Sequence, residues 1–285
     1  MKIAFQGETG ANSELAARQF YGDKKEYIPF PEFQDVYNAV YNRKVQYGVI
    51  PLENSLTGSI HQNYDLLLDG KLFIVGEIYL EISHYLVSNK NVTRKKIKRV
   101  FSHEQALTQC KKYLSKFPYL AQIPVSNTAV AVRMIKEKKI NDAAAIASMQ
   151  AAIDFDMKVH AKKIEDIHNN QTRFIMLSRK ELKIRSRKRK VKTSIIFATK
   201  NIPGALFKAL SVFSLRDIDL LKIESRPFYG RNFEYMFYLD FEGNNYWKRT
   251  QYALNHLNEM TTYYRNLGSY FMGEIAKPEY KIRNK

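Results

Sequence analysis

The chain has 285 residues and 33.3 kDa, with 45% hydrophobic and 13% aromatic residues, enough for two compact domains with true cores and too much for a disordered chain. Lys and Arg number 46 against 28 Asp and Glu, giving a net charge of +18. No apolar run approaches the ~18 residues of a membrane span, and one cysteine, Cys110, excludes an internal disulfide framework and a cysteine-based zinc site. Residues 2–5 read at once as a buried strand, so no signal or transit peptide is expected and the location expected is cytoplasmic. A turn at Gly7-Glu8-Thr9-Gly10 follows, and Asn12 or Ser13 is placed to cap a helix running to Phe20. Residues 27–30 form a short strand. Phe33, Val36, Tyr37, Val40 and Tyr41 recur on one face of a helix. Residues 47–50 read as a strand ending at Pro51, residues 60–68 as a helix closed by Gly70, and residues 72–82 and 85–88 as extended segments. A strand at 99–101, a helix at 104–117, a helix capped by Asn127, and strands at 143–147 and 173–177 complete an alternating α/β pattern.

Residues 179–192 hold nine basic residues and one acidic one, a charge of +8 that leaves +10 for the rest. Their periodicity is poor and no recognition motif accompanies them, so a solvated linker is expected and no nucleic-acid partner. Then the pattern restarts. A strand at 193–198, a helix from Gly204 with Pro203 in its first turn, strands at 220–228 and 235–241 around Gly230-Arg231-Asn232, a helix at 246–264 and a strand at 267–272 follow. That order, βαββαβ, is the ferredoxin-like unit.

Metal sites look poor, because the six histidines are scattered without a spaced partner. Gly7-Glu8-Thr9-Gly10 is neither a Walker loop nor a dinucleotide fingerprint. Cys110 sits on a helical pattern and reads as a buried thiol. What stands out is polar sequence just after strands: Pro51-Leu52-Glu53-Asn54-Ser55, Ser102-His103 and Ser126-Asn127-Thr128. In open α/β sheets those positions face the ligand crevice, and hydroxyls, amides and helix starts there suit carboxylates. Taken alone, Ser126 and Asn127 are accounted for as turn and cap.

Five stretches in order are similar to one family. They are Ile3-Ala4-Phe5-Gln6-Gly7 through Ser13-Glu14; Gly48-Val49-Ile50-Pro51-Leu52-Glu53-Asn54-Ser55 with Gly58; Ser102-His103 with Gln105-Ala106-Leu107 and Gln109; Ala144-Ala145-Ile146-Ala147-Ser148; and Asn170-Gln171-Thr172-Arg173-Phe174. Together they resemble prephenate dehydratase with a C-terminal ACT regulatory domain. Pro203-Gly204-Ala205-Leu206-Phe207 and Glu224-Ser225-Arg226-Pro227 look like that domain's two phenylalanine-binding motifs. The first loop departs from the family pattern, with Glu8 in place of Pro and Ala11-Asn12 in place of Thr-Phe, and Glu104 stands where Pro is common.

The resemblance implies a bilobed α/β catalytic domain of the type II periplasmic-binding-protein kind over residues 1–178, its lobes being 1–76 with 163–178, and 77–162. A basic linker at 179–191, a ferredoxin-like ACT domain at 192–275 and a tail at 276–285 follow. It implies decarboxylative dehydration of prephenate to phenylpyruvate in phenylalanine biosynthesis, with aromatisation as driving force and no cofactor or metal needed. Thr172 would polarise the leaving hydroxyl or relay a proton, and Arg173 would pair with a carboxylate or form a structural ion pair. Asn54, Ser55, Ser102 and Thr128 would offer neutral hydrogen bonds. Glu53 would act as an acid only if burial raised its pKa, and otherwise orient its neighbours. Gln109 would reach the cleft or the surface, and Phe174 would pack in its strand or touch the ring. His103 suits a structural helix start. Phenylalanine would bind at Gly204, Ala205, Leu206, Glu224, Ser225, Arg226 and Pro227 in a homodimer or homotetramer. An arogenate dehydratase of the same fold and a non-catalytic solute-binding protein are the alternatives. Thr172-Arg173-Phe174 speaks against the second, and neither a membrane nor a nucleic acid is expected as partner.

Overall fold

The structure is a computed structural model that describes residues 1–185, 188–228 and 234–281. Arg187 of the basic segment and the expected Gly230-Arg231-Asn232 turn lie outside the described residues. In chain order the elements are β1 (Lys2–Gln6), α1 (Asn12–Tyr21), β2 (Glu26–Phe30), α2 (Phe33–Tyr41), β3 (Tyr47–Asn54), β4 (Gly58–Ser59), α3 (His61–Asp69) and β5 (Phe73–Glu81). Next come β6 (Tyr85–Ser88), β7 (Arg99–Ser102), α4 (Glu104–Gln109), α5 (Lys111–Leu114), β8 (Ala121–Pro124), α6 (Thr128–Glu137), β9 (Ala143–Ala147), α7 (Met149–Asp154), β10 (Lys158–Ala161) and β11 (Gln171–Ser178). The last are β12 (Val191–Thr199), α8 (Ala205–Ser214), β13 (Leu220–Pro227), β14 (Tyr235–Glu242), α9 (Lys248–Met260), β15 (Thr261–Phe271) and β16 (Ile275–Ala276).

The chain divides into two compact units. One comprises Met1–Ile60, Ile78–Phe174 and the tail from Ile275; the other comprises His61–Glu77 and Ile175–Glu274. The first unit holds two lobes. One lobe is built on a sheet of order β16-β5-β11-β3-β1-β2, and the other on a sheet of order β10-β6-β9-β7-β8. β1 pairs in parallel with β2 and β3, and Ile3, Ala4 and Phe5 are at most 1% exposed, as a parallel strand covered on both faces must be. In the second lobe β9 shows why small residues form a central strand. Ala143, Ala145 and Ala147 face α6 and α7, while Ala144 and Ile146 face α4 and α5. Alternation puts successive side chains on opposite faces, and both are dry.

Several expectations are corrected at this level. The chain crosses between the lobes after Glu81, where β5 ends, later than the expected residue 76. The helix expected at 104–117 breaks at Cys110 into α4 and α5. The helix expected at 246–264 ends at Met260, and Thr261-Thr262-Tyr263-Tyr264 begins β15, as β-branched and aromatic residues favour. Neither Asn12 nor Ser13 caps α1. Ala11 is the cap residue, and the buried Glu14 reaches back to accept the Gly10 N–H at 2.8 Å. Of the predicted α2 face, Tyr41 is 39% exposed.

In the second unit β12, α8, β13, β14, α9 and β15 give the expected βαββαβ order, with an antiparallel sheet β13-β14-β12-β15. Both helices pack on one face of it around Phe197, Val212, Phe213 and Leu257. α3 belongs to this unit, not to the N-terminal lobe with which residues 61–76 were expected. The reason is local. Tyr64 meets Tyr238 edge-on at 4.8 Å, and Arg265 donates to the carbonyls of Leu67, Leu68 and Leu72 at the C-terminal end of α3. A buried ion pair, Lys192 Nζ to Glu77 Oε1 at 2.8 Å, lies in the same unit. The described residues of the basic segment carry no helix or strand up to Lys190, but Val191 and Lys192, expected to close the segment, already belong to β12. The tail returns to the first unit, where β16 pairs with β5 at Tyr79 and Leu80.

Candidate active site

A cavity of about 230 Å³ opens in the first unit where strand ends and helix starts of the two lobes converge. Five of the expected residues come together there: Asn54, Gln109, Thr128, Thr172 and Phe174. Asn54 ends β3, and Thr172 and Phe174 share one face of β11. Thr128 opens α6, whose cap is the expected one, Asn127 Oδ1 accepting from Val130 N–H at 2.8 Å.

The other four do not line the cavity. Arg173 sits between Thr172 and Phe174 on β11, so it points to the opposite face, where it is 2% exposed. Ser102 is fully buried, and its hydroxyl donates to the Ile146 carbonyl at 2.6 Å, a tie between β7 and β9. Ser55 Oγ accepts from Gln171 N–H at 2.9 Å and donates to the Asn169 carbonyl at 3.3 Å, which pins the end of β3 to the start of β11. Glu53 precedes Asn54 on β3 and lies in register with Ser59 of β4.

The cavity amides have a fixed polarity. Asn54 Oδ1 accepts from Leu56 N–H at 3.0 Å and Thr57 N–H at 3.2 Å. Its Nδ2 is therefore the donor, to Asn170 Oδ1 at 2.6 Å and to Thr172 Oγ1 at 2.9 Å, with the Gln171 carbonyl at 3.2 Å. Thr172 Oγ1 is thus an acceptor on its protein side. A hydroxyl carries one proton, and among the described residues no protein acceptor takes it. That proton is available to a group in the cavity.

Across the cavity, Gln105 Nε2 of α4 donates to Thr57 Oγ1 at 2.7 Å, joining one lobe to the other. Among the described residues lining the cavity there is no Asp, Glu, Lys or Arg. Helix starts carry a partial positive charge, and those of α1 and α6 bring Asn12, Ser13, Asn127 and Thr128 to the cavity. His84 also lines the cavity; burial holds its pKa below the ordinary histidine value, so the ring is neutral. His103, as expected, serves a helix start, its Nδ1 accepting from Gln105 N–H at 3.3 Å. Among the described residues no three His, Cys, Asp or Glu side chains gather closely enough to hold a metal ion.

The sequence reading missed His84, Asn170, Thr57 and Gln105 as cavity residues. A usable indication existed for His84, since it is a polar residue in the short junction between β5 and β6. Asn170 stood inside a quoted motif without a role.

The model of the family described as prephenate dehydratase matches residues 3–182. The chain belongs to the prephenate dehydratase family. An arogenate dehydratase/prephenate dehydratase 2 from Arabidopsis thaliana is 45% identical over 95% of this chain and 72% of its own length. A prephenate dehydratase from Arthrobacter aurescens, solved in complex with L-Phe, matches at TM-score 0.87 and 29% identity, covering 95% of this chain and 90% of that one. A quorum-quenching acylase, GqqA, matches at TM-score 0.87 and 29% identity, covering 95% of this chain and 98% of that one. The mixed α/β fold is thus that of this dehydratase family. The cytoplasmic location read from the start of the sequence does not stand: the Arabidopsis relative and two others from the same plant are named chloroplastic enzymes.

A second cavity, of about 220 Å³, lies in the second unit. Gly204, Ala205 and Leu206 line it with Thr199, Tyr235 and Phe237. Gly204 caps α8 at φ 75°, a left-handed conformation that suits glycine, and Pro203 falls in the turn before the helix, not in its first turn. Glu224, Ser225, Arg226 and Pro227 do not line this cavity; they lie on β13, the edge strand. Glu224 faces His61 at 3.4 Å and Arg226 faces Asp65 at 2.8 Å, while Ser225 and Pro227 are exposed on the other side.

Proposed function

We propose that the first cavity converts prephenate to phenylpyruvate. In that reaction the bond from the ring to its carboxylate breaks and CO2 leaves. The released electron pair enters the ring, and the carbon–oxygen bond at the opposite carbon breaks. The departing hydroxyl takes up a proton and leaves as water. The protein must hold two carboxylates, assist the leaving hydroxyl and exclude bulk water. The observation that carries the reading is the polarity of the Asn54–Thr172 hydrogen bond, which leaves the Thr172 proton for the leaving oxygen. A preorganised donor aimed at developing charge is worth about 3 kcal/mol in such sites. The first turns of α1 and α6 suit the carboxylates.

Prephenate is preferred here to arogenate on charge. Arogenate carries an ammonium where prephenate has a keto group, and no described carboxylate lines the cavity to receive it. The test is side-by-side turnover of both compounds by the purified protein, reading phenylpyruvate absorbance in alkali and phenylalanine formation. The reading expects a higher kcat/KM on prephenate. Turnover of arogenate alone would overturn the substrate, and turnover of neither would overturn the reaction.

The second cavity is proposed as a phenylalanine site, and the second unit as an ACT regulatory domain. The relative solved with L-Phe supports this reading, as does the N-terminal turn of α8 with Gly204 bare enough for close approach. Residues 224–227 lie off this cavity, so they would close it from a second copy in a homodimer or homotetramer. Bound phenylalanine inhibits only if it favours a less active arrangement. Gly204→Val and Ser225→Ala are expected to weaken inhibition with basal rate unchanged. Inhibition at wild-type concentrations in both would place the effector elsewhere.

A further inference from the structure

We infer that His84 is a positioning residue that sets the orientation of the Gln109 amide, and thereby turns two N–H donors into the cavity. The inference rests on the proposed dehydratase site, but it concerns a residue to which that reading gives no task. Gln109 Oε1 receives two groups at once, His84 Nε2 at 2.9 Å and Asn170 Nδ2 at 3.1 Å. The Asn170 amide is itself oriented, because its oxygen already accepts from Asn54 Nδ2 at 2.6 Å. Asn170 therefore brings a donor, and the atom facing it on Gln109 must be oxygen. His84 must then carry its proton on Nε2, since an acceptor nitrogen against that oxygen would leave two lone pairs opposed. Burial keeps the ring neutral, which makes the tautomer decisive. With Oε1 taken twice, Gln109 Nε2 is directed to the cavity that Gln109 lines.

The frame around the pair is built for this. His84 is 4% exposed, and both of its backbone groups are held, the N–H by Glu165 Oε2 at 2.8 Å and the carbonyl by Ile164 N–H at 3.0 Å. The next residue of that segment, Asp166, donates its N–H to the Gln109 carbonyl at 2.7 Å. One short segment thus fixes His84 and Gln109 relative to each other. With His84 protonated on Nε2, a Gln109 amide that turned over would set its NH2 against two donors, His84 and Asn170, and its oxygen against the substrate's carboxylate or keto oxygen. Each unmatched pair is costly inside a protein.

The test uses full-length His84→Leu, His84→Asn and His84→Gln, alone and with Gln109→Leu, on whichever substrate the wild type turns over. Wild-type turnover judges the dehydratase reading; the variants, compared with wild type, judge this one. Leu fills the space without a donor, and the Asn amide is too short to reach Gln109. The Gln amide places a donor where Nε2 stood. The expected result is a fall in kcat/KM of about tenfold for His84→Leu and His84→Asn, and near wild-type values for His84→Gln. In the Gln109→Leu background, His84→Leu should add less than about twofold, because the two act as one unit. Circular dichroism and melting curves confirm that each variant is folded, and His84→Asn decides the matter if His84→Leu is not. Equal losses in His84→Gln and His84→Asn, or losses that multiply fully with Gln109→Leu, would overturn the assignment.

Discussion

At the scale of single residues, the site works through neutral groups whose direction is set by their neighbours. Thr172 is the sharpest case, since Asn54 donates to its oxygen at 2.9 Å and frees its proton. Thr172→Ala is expected to lower kcat by about 10²-fold with a much smaller change in KM. Thr172→Ser keeps the hydroxyl and should retain far more activity; steady-state kinetics on the folded variants checks both. The motif residues flanking Thr172 show what a sequence can and cannot tell. Thr172 and Phe174 were legible as cavity residues. Arg173 was not, because a motif names neighbours in sequence, whereas a strand sends them to opposite faces. Ser102 misled for another reason: a serine ending a strand suits a crevice and a strand-to-strand tie equally well. His84 and Asn170 gain their meaning from a shared partner, Gln109, which lies 25 residues from the first and 61 from the second.

At the scale of elements, the close approach of α7 to the turn after β1 fixes the lobes against each other. Ser148 Oγ donates to the Gly10 carbonyl at 2.7 Å, and a Cβ on Gly10 would come within 2.7 Å of Ala151 Cα. Gly10 also has a φ of +87°, which L side chains rarely adopt. Gly10→Ala is expected to destabilise the first unit by about 2 kcal/mol or more, through strain and displacement of α7. Thermal melting with and without substrate measures it, and an unchanged midpoint would refute it. Long periodic elements such as α2 and α6 were legible because their apolar faces repeat. β8, β10 and α7 were not. β8, for instance, is a short edge strand of four residues with little buried surface, and gives no period to count. The junction of α9 and β15 misled because an amphipathic run passes without a break into Thr261-Thr262-Tyr263-Tyr264, where strand preference wins.

At the scale of the whole molecule, charge and chemistry are kept apart. The chain carries +18, yet no described charged side chain lines the cavity. In the basic segment between β11 and β12, Ile184 and Glu181 are tied to Asn244, Asn245 and Tyr246, whereas the exposed basic end makes lighter contacts, Arg189 lying over the Phe271 ring at 4.7 Å and Lys190 reaching Glu242 at 3.2 Å. Exposed contacts of this kind are worth about 1 kcal/mol or less. Replacing Lys188, Arg189 and Lys190 together by Ser should therefore leave kcat without effector nearly unchanged. A large loss would place the segment in the active site or in an essential interface.

Cys110 offers a chemical clock. It is the only cysteine of the chain, it is fully buried at the break between α4 and α5, and burial pushes its thiol pKa up. A thiol reagent can reach it only when the packing around Leu107, Leu114 and Ile146 opens. The residue before it in the chain, Gln109, lines the cavity. An occupied site should hold that corner shut, so the rate of labelling by a disulfide reagent should fall as prephenate concentration rises. Without any introduced probe, the wild-type protein would then report ligand binding through the reactivity of one sulfur atom. A labelling rate indifferent to saturating substrate would show that the corner opens independently of the site.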